Sequence, residues 1–263
     1  MLFLKHPFIT ARTLLFYLVL ACLTLLWLPP SLLAYLLLPI RARNFIVLVA
    51  FCHAISWAAR LICGIRWQVE GREHIPTTGQ SCVLISKHQS TWETFFLPTI
   101  LAPQVQVVKR ELFFLPFFGW QLKMIAPIFI DRRQKANALK QVLTQGKERL
   151  EQGLHVLIFP EGTRVAPGLR KEFSKGGAML ASKTGTPVLA IAHNSAQCWP
   201  NSGWLKFPGT VSVVISPVFD SRTLDTNELN AQTESWINQQ VDRISVTAFH
   251  GEYSLAQSSG KRF

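Results

Sequence analysis

A histidine and a glutamate stand five positions apart, His88 and Glu93, in the stretch Ser86-Lys-His-Gln-Ser-Thr-Trp-Glu93. The stretch follows the apolar run Cys82–Ile85 and leads into a second apolar run. A carboxylate in the first turn of a helix can reach back to one nitrogen of a loop imidazole. That contact fixes the tautomer and raises the basicity of the other nitrogen. The geometry suits a general base acting on a hydroxyl. The same residues also fit an ordinary helix capped by Thr91, with a solvated glutamate and a loop histidine. A metal site is disfavoured, because no third ligand lies nearby and this spacing is not a usual ligand spacing.

Three further stretches carry chemistry. Phe159-Pro-Glu-Gly-Thr-Arg164 follows the apolar run Leu154–Phe159. Gly162 lets backbone approach a ligand closely, and Arg164 offers a planar fork for phosphate oxygens. Glu161 could bond a polyol hydroxyl or hold the arginine. A simple turn, with proline second and glycine fourth, fits equally. Lys109 and Arg110 end another β-type run and precede an aromatic stretch through Trp120, broken by Pro116 and Gly119. Such a pair can meet a phosphate or lie in solvent, and the aromatic run can line an apolar channel or sit at a membrane. The stretch from Thr184 to Ala196 reads only as a buried strand after Pro187.

The elements that must position these residues are short. Seven β-type runs are expected at 65–71, 81–86, 104–108, 126–130, 154–159, 188–193 and 211–215. Most lack strict alternation, as strands covered on both faces do. A helix is expected over Gln134–Gln152, with Ala138, Val142 and Leu150 on its apolar face and Gly153 as its stop. A second is expected after a cap at Asp225 or Thr226, with Leu229, Trp236, Ile237, Val241 and Ile244 on one face. The expected fold is a single α/β domain with a mostly buried central sheet flanked by helices, preceded by an apolar helical membrane-binding segment. The divisions are 1–64 for that segment, 65–250 for the α/β domain and 251–263 for a frayed tail.

Composition agrees with this organisation. The 263 residues are 49% hydrophobic and carry 27 Lys and Arg against 15 Asp and Glu, a formal charge of +12. The first 69 residues hold Lys5, Arg12, Arg41, Arg43, Arg60 and Arg66, and no acid. A basic, acid-free, apolar region points to anionic lipid and away from nucleic acid. The run Thr13–Leu28 would rise about 24 Å as a helix, short of a hydrocarbon core of about 30 Å. A hairpin turning at Pro29-Pro30, or a helix pair in one leaflet, keeps the flanking basic pairs on the cytoplasmic side. One or two true spans are the alternative. A cleaved signal is disfavoured by the long apolar run and the lack of a small-x-small site. The five cysteines, with no CxxC, read as buried free thiols in a reducing compartment.

Taken together and in order, HQSTWE, KREL, FPEGTR and TPVLAIAH resemble the motifs of the glycerolipid acyltransferase family over roughly residues 65–215. The resemblance implies direct acyl transfer from a thioester of CoA or acyl carrier protein to a glycerol hydroxyl, with no acyl-enzyme, no cofactor and no metal. His88 would be the general base and Glu93 its orienter. Lys109, Arg110, Glu161, Gly162, Thr163 and Arg164 would handle the glycerol phosphate. The implied acceptor is lysophosphatidic acid and the product phosphatidic acid, made at the cytoplasmic face of the inner membrane. Related acceptors (glycerol 3-phosphate, a lysophospholipid, an amino-acid lipid) or a non-catalytic lipid-binding role are the alternatives. The family usually has aspartate where this chain has Glu93, so the imidazole or local backbone must shift to accept one more methylene.

Overall fold

The computed structural model describes residues 7–77, 79–131 and 134–245. Lys5 and the tail 251–263 lie outside these residues. All seven expected β-runs form strands: β1 (Ile65–Glu70), β2 (Val83–Ser86), β3 (Gln104–Lys109), β4 (Ile128–Ile130), β5 (His155–Ile158), β6 (Val188–His193) and β7 (Gly209–Ile215). They make one sheet in the order β1-β7-β6-β2-β5-β3-β4. The block β6-β2-β5-β3-β4 is parallel throughout, and β7 runs antiparallel to β6. The carboxyl ends of β6, β2, β5 and β3 therefore share one edge. Ligand sites of parallel sheets form at such an edge.

Both faces of the sheet are covered, which explains the missing alternation. Leu84, Leu157, Leu189 and Ile191 point to one face, where they meet Phe16, Phe51 and Ile55. Val83, Ile85, Val156 and Ala190 point to the other, against Leu180, Leu229 and Ile237. That second face is covered by α7 (Lys135–Glu151), α8 (Gly176–Thr184) and α9 (Thr226–Ile244). Both expected helices thus form within a residue of their expected bounds. Asp225 caps α9 in a capping box with Glu228.

The N-terminal residues give α1 (Pro7–Leu26), α2 (Leu28–Leu37), α3 (Ile40–Asn44) and α4 (Phe51–Ala58). The last two belong to one helical run, Ile40–Cys63. The chain does not turn at Pro29-Pro30. Those prolines occupy the first turn of α2, where no intrahelical N–H is lost, and Ser31 N still donates to Trp27 O at 3.0 Å. The reversal falls at Leu38 and Pro39, both extended. Nor is residue 64 a boundary between cores. Phe16, Ile55 and Cys63 share one cluster with the sheet. Gly64 marks instead the passage from helix to strand, at φ +73, where a Cβ would crowd Arg12 and Pro208 at 3.1 Å. Four of the cysteines are buried and all five are free thiols, but Cys22 is exposed on α1.

The remaining helices are short. α5 (Trp92–Phe96) follows β2, and α6 (Phe118–Met124) packs on α2. Removing the α9 cap isolates one local contribution to this frame: Asp225→Ala should lower unfolding stability by about 1 kcal/mol, read by thermal unfolding in detergent.

Candidate active site

The loop between β2 and α5 carries His88, and the first turn of α5 carries Glu93, as the spacing requires. The carboxylate is fully buried and the imidazole is 12% exposed. Glu93 Oε1 accepts from His88 Nδ1 at 2.9 Å and from the N–H groups of Gln89 at 2.9 Å and Ser90 at 2.8 Å. Its Oε2 accepts from Ser195 Oγ at 2.8 Å. Thr91 makes no capping bond; Ser90 Oγ takes that role, accepting from Trp92 N at 3.0 Å. The solvated-glutamate reading is thereby excluded.

Burial alone would push the Glu93 carboxyl up. The His193 ring, the His88 hydrogen bond and the Ser90 N–H outweigh it and hold the carboxyl at about 2. His193 is itself pushed down by burial, with Glu93 opposing. Four hydrogen bonds also hold the Glu93 carboxylate directly. An ionised carboxylate only accepts, so His88 Nδ1 carries the proton and Nε2 keeps a free lone pair.

A second carboxylate holds the histidine from behind. Phe159 O accepts from Gly162 N at 3.0 Å, closing a turn with Pro160 second. This turn aims Glu161 inward, where one oxygen pairs with buried Lys87 and the other accepts from His88 N at 2.7 Å. Burial raises the Glu161 carboxyl, with the Lys87 and His88 contacts opposing. Val165 N donates to His88 O at 2.8 Å, and the Phe159 ring stacks on the imidazole at 4.1 Å between centroids. Glu161 thus bonds the Lys87 ammonium and the His88 backbone, and among the described contacts Arg164 bonds Asn201 instead.

Arg164 and Thr163 are exposed, and Arg164 Nη1 donates to Asn201 Oδ1 at 2.9 Å. Gly162 is at φ +66, with open space where a Cβ would stand. Lys109 and Arg110 are exposed at the carboxyl end of β3. One strand, β5, separates β3 from β2, so the basic pair stands about 10 Å along the sheet edge from His88. The structure thus joins the His88 loop to the Phe159–Arg164 turn by direct contact. It sets the cations apart along the same edge.

Lys87, His193 and Ser195 were missed by sequence reasoning. His193 ends β6 and donates from Nε2 to Lys87 O at 2.8 Å. Their available signals were weak: a lysine beside the motif histidine, and a His-Asn-Ser sequence at a strand end. Among the described residues no group of three or more His, Cys, Asp or Glu could hold a metal ion. Glu93 has a stability signature. Its carboxyl lies below the ordinary 4.5, so its contribution is complete above that pH and is lost as pH falls through about 2. Urea unfolding of wild type and Glu93→Gln across this window should show the steeper acid loss in wild type.

Residues 66–194 match the family model described as Acyltransferase. The chain is 47% identical to 1-acyl-sn-glycerol-3-phosphate acyltransferase of Pseudomonas aeruginosa, with 89% of this chain and 91% of the relative aligned. It is 29% identical to the alpha enzyme of that name from Mus musculus, over 77% of this chain and 73% of the relative. A crystal structure of the 1-acyl-sn-glycerophosphate acyltransferase PlsC from Thermotoga maritima has the same fold, at TM-score 0.76 and 24% identity, covering 91% of this chain and 97% of that one. With its motif histidine, carboxylate and Phe-Pro-Glu-Gly-Thr-Arg turn assembled at one sheet edge, the chain belongs to the acyltransferase family.

Proposed function

We propose that the protein is a 1-acyl-sn-glycerol-3-phosphate acyltransferase. It moves an acyl group from a thioester of CoA or acyl carrier protein to the sn-2 hydroxyl of lysophosphatidic acid, giving phosphatidic acid. The single observation that carries the chemistry is the His88 Nδ1–Glu93 contact at 2.9 Å, which leaves Nε2 as the base. The substrate class rests on the relatives, of which the one from Pseudomonas aeruginosa is 47% identical.

His88 Nε2 takes the hydroxyl proton as the oxygen attacks the thioester carbonyl. The tetrahedral intermediate then collapses, the C–S bond breaks, and the imidazolium returns the proton to the departing sulfur. Glu93 stabilises the transient imidazolium. The balance needs no cofactor beyond the thioester. Arg164, Lys109 and Arg110 are exposed cations on this edge and are assigned to the acceptor phosphate, Arg164 by exchanging Asn201 for phosphate oxygens. Gly162 and Thr163 are assigned to the glycerol portion beside it. An apolar cleft of about 260 Å³ lies between α1 and the His88 loop, lined by Tyr17, Leu20, Phe51, Thr91, Phe95 and Trp199. It is assigned to an acyl chain.

The outer face of the N-terminal helices exposes Leu14, Leu18, Leu26, Leu33 and Leu36, and the segment after β3 exposes Phe114 and Trp120. Two helical runs, Pro7–Leu37 and Ile40–Cys63, are long and apolar enough to cross a membrane. With the basic, acid-free N-terminus, they support seating on the cytoplasmic face of an inner membrane rich in anionic lipid.

Purified protein in detergent, given lysophosphatidic acid and each donor type, should yield phosphatidic acid by mass spectrometry. Failure with both donors would refute the reading. His88→Ala should abolish transfer while membrane association persists. Arg164→Ala should chiefly raise KM for the phosphorylated acceptor. Among Glu93 variants, Glu93→Asp keeps the charge and should outperform Glu93→Gln, which should lose most of kcat.

A further inference from the structure

The segment from Asn194 to Pro208 joins β6 to β7 and touches three things the reaction depends on. Near its start, Ser195 Oγ donates to Glu93 Oε2 at 2.8 Å. At its middle, Asn201 accepts from Arg164. Near its end, Lys206 is fastened to α1: its backbone N donates to Thr13 Oγ1 at 3.1 Å, and its Nζ donates to Tyr17 Oη at 2.9 Å. The same Nζ donates to Trp204 O at 2.6 Å and lies 4.9 Å from the Trp199 ring and 5.1 Å from the Tyr17 ring. Trp199 in turn packs edge-on against Phe16 of α1 at 5.2 Å and against Phe95 of α5 at 6.3 Å.

Lys206 is 2% exposed, and among the described residues no carboxylate pairs with it. Burial lowers its ammonium to about 8, with Cys63 opposing. A buried cation without a counter-charge is a costly placement, and an apolar side chain would serve simple packing at less cost. What the ammonium does here is specific. It ties the far end of the segment to the hydroxyl and ring of Tyr17, and Tyr17 and Trp199 form a wall of the cleft beside Thr91.

We propose that Ser195 and Lys206 are positioning residues of the reaction, acting through this one segment: Lys206 anchors the segment to helix α1, and the anchored segment holds Ser195 on the catalytic carboxylate. Ser195 supplies the only bond to Glu93 Oε2 among the described contacts, so it decides how the longer acid is rotated toward His88. The helix that carries the apolar outer face thereby bears on the orientation of the base. This inference rests on the acyl transfer proposed above.

The test is a double-mutant cycle on kcat, measured with lysophosphatidic acid and an acyl thioester in detergent. Wild type, Ser195→Ala, Lys206→Met and the double variant are compared. Tyr17→Phe, alone and with Ser195→Ala, removes only one hydroxyl and serves if Lys206→Met does not fold. Ser195→Ala should lower kcat about tenfold, the rate equivalent of one hydrogen bond to a charged group. Lys206→Met or Tyr17→Phe should lower kcat in the wild-type background and change it less than twofold once Ser195 is gone. Lys206→Arg, which keeps the cation, should restore most of the rate. A purely structural lysine would instead lower the thermal midpoint and multiply with Ser195→Ala. Multiplicative effects, or an unchanged kcat in both anchor variants, overturn the proposal while wild-type transfer stands. Absence of transfer by wild type overturns the functional reading and this inference with it.

Discussion

The structure turns on a single buried charge. Glu93 is ionised and fully enclosed, a state that costs several kcal/mol unless donors replace the lost water. Four donors do so, and they come from two separate parts of the sheet edge. Three lie in the loop after β2, and the fourth, Ser195, comes from the segment after β6. The arrangement is possible only because β6 is the parallel neighbour of β2. Placing β6 elsewhere in the sheet would leave Oε2 without its partner. The strand order is therefore part of the electrostatics of the site as well as its scaffold.

The two carboxylates divide the work on His88. Glu93 sets the ring, its tautomer and the direction of the free Nε2 lone pair. Glu161 sets the backbone, holding the His88 N–H while Lys87 neutralises it. Phe159 closes the remaining ring face. The imidazole is thus held through its ring, its backbone and one ring face, the placement that the proposed general-base role asks for. The extra methylene of glutamate fits the same logic. It carries the carboxylate far enough from α5 for one oxygen to serve the ring and two N–H groups while the other turns to Ser195.

Much of this was legible in the sequence because it is local. Short β-type runs marked all seven strands, and a capping residue at Asp225 or Thr226 marked the start of α9. The His88–Glu93 contact follows from a loop and one helical turn. What escaped was non-local. Lys87 meets Glu161, His193 meets Lys87 and Ser195 meets Glu93 across separations of 74, 106 and 102 residues. Only the order β5-β2-β6 brings them together, and no local pattern encodes that order. The same limit hid the partners of Glu161. The aim of Glu161 is set by a buried lysine in the loop after the neighbouring strand β2, which pairs with it. Pro29-Pro30 failed for the opposite reason: proline breaks a helix interior but starts a helix equally well.

The N-terminal helices could be taken for an anchor added to a finished catalytic domain, but the packing argues otherwise. Phe16, Phe51, Ile55 and Ala59 supply the cover for Leu84, Leu157 and Leu189 on one face of the sheet. Burying apolar side chains of this size contributes about 1.5–3 kcal/mol each, so stripping the helices away would expose half of the core that holds β2 in place. Their outer face remains apolar and exposed, with Leu26 at 72% and Leu36 at 68%. One set of helices thus has two apolar faces, an inner one satisfied by the sheet and an outer one satisfied only by another apolar phase. A surface that lipid would cover and a sheet that carries the base are then opposite sides of the same layer.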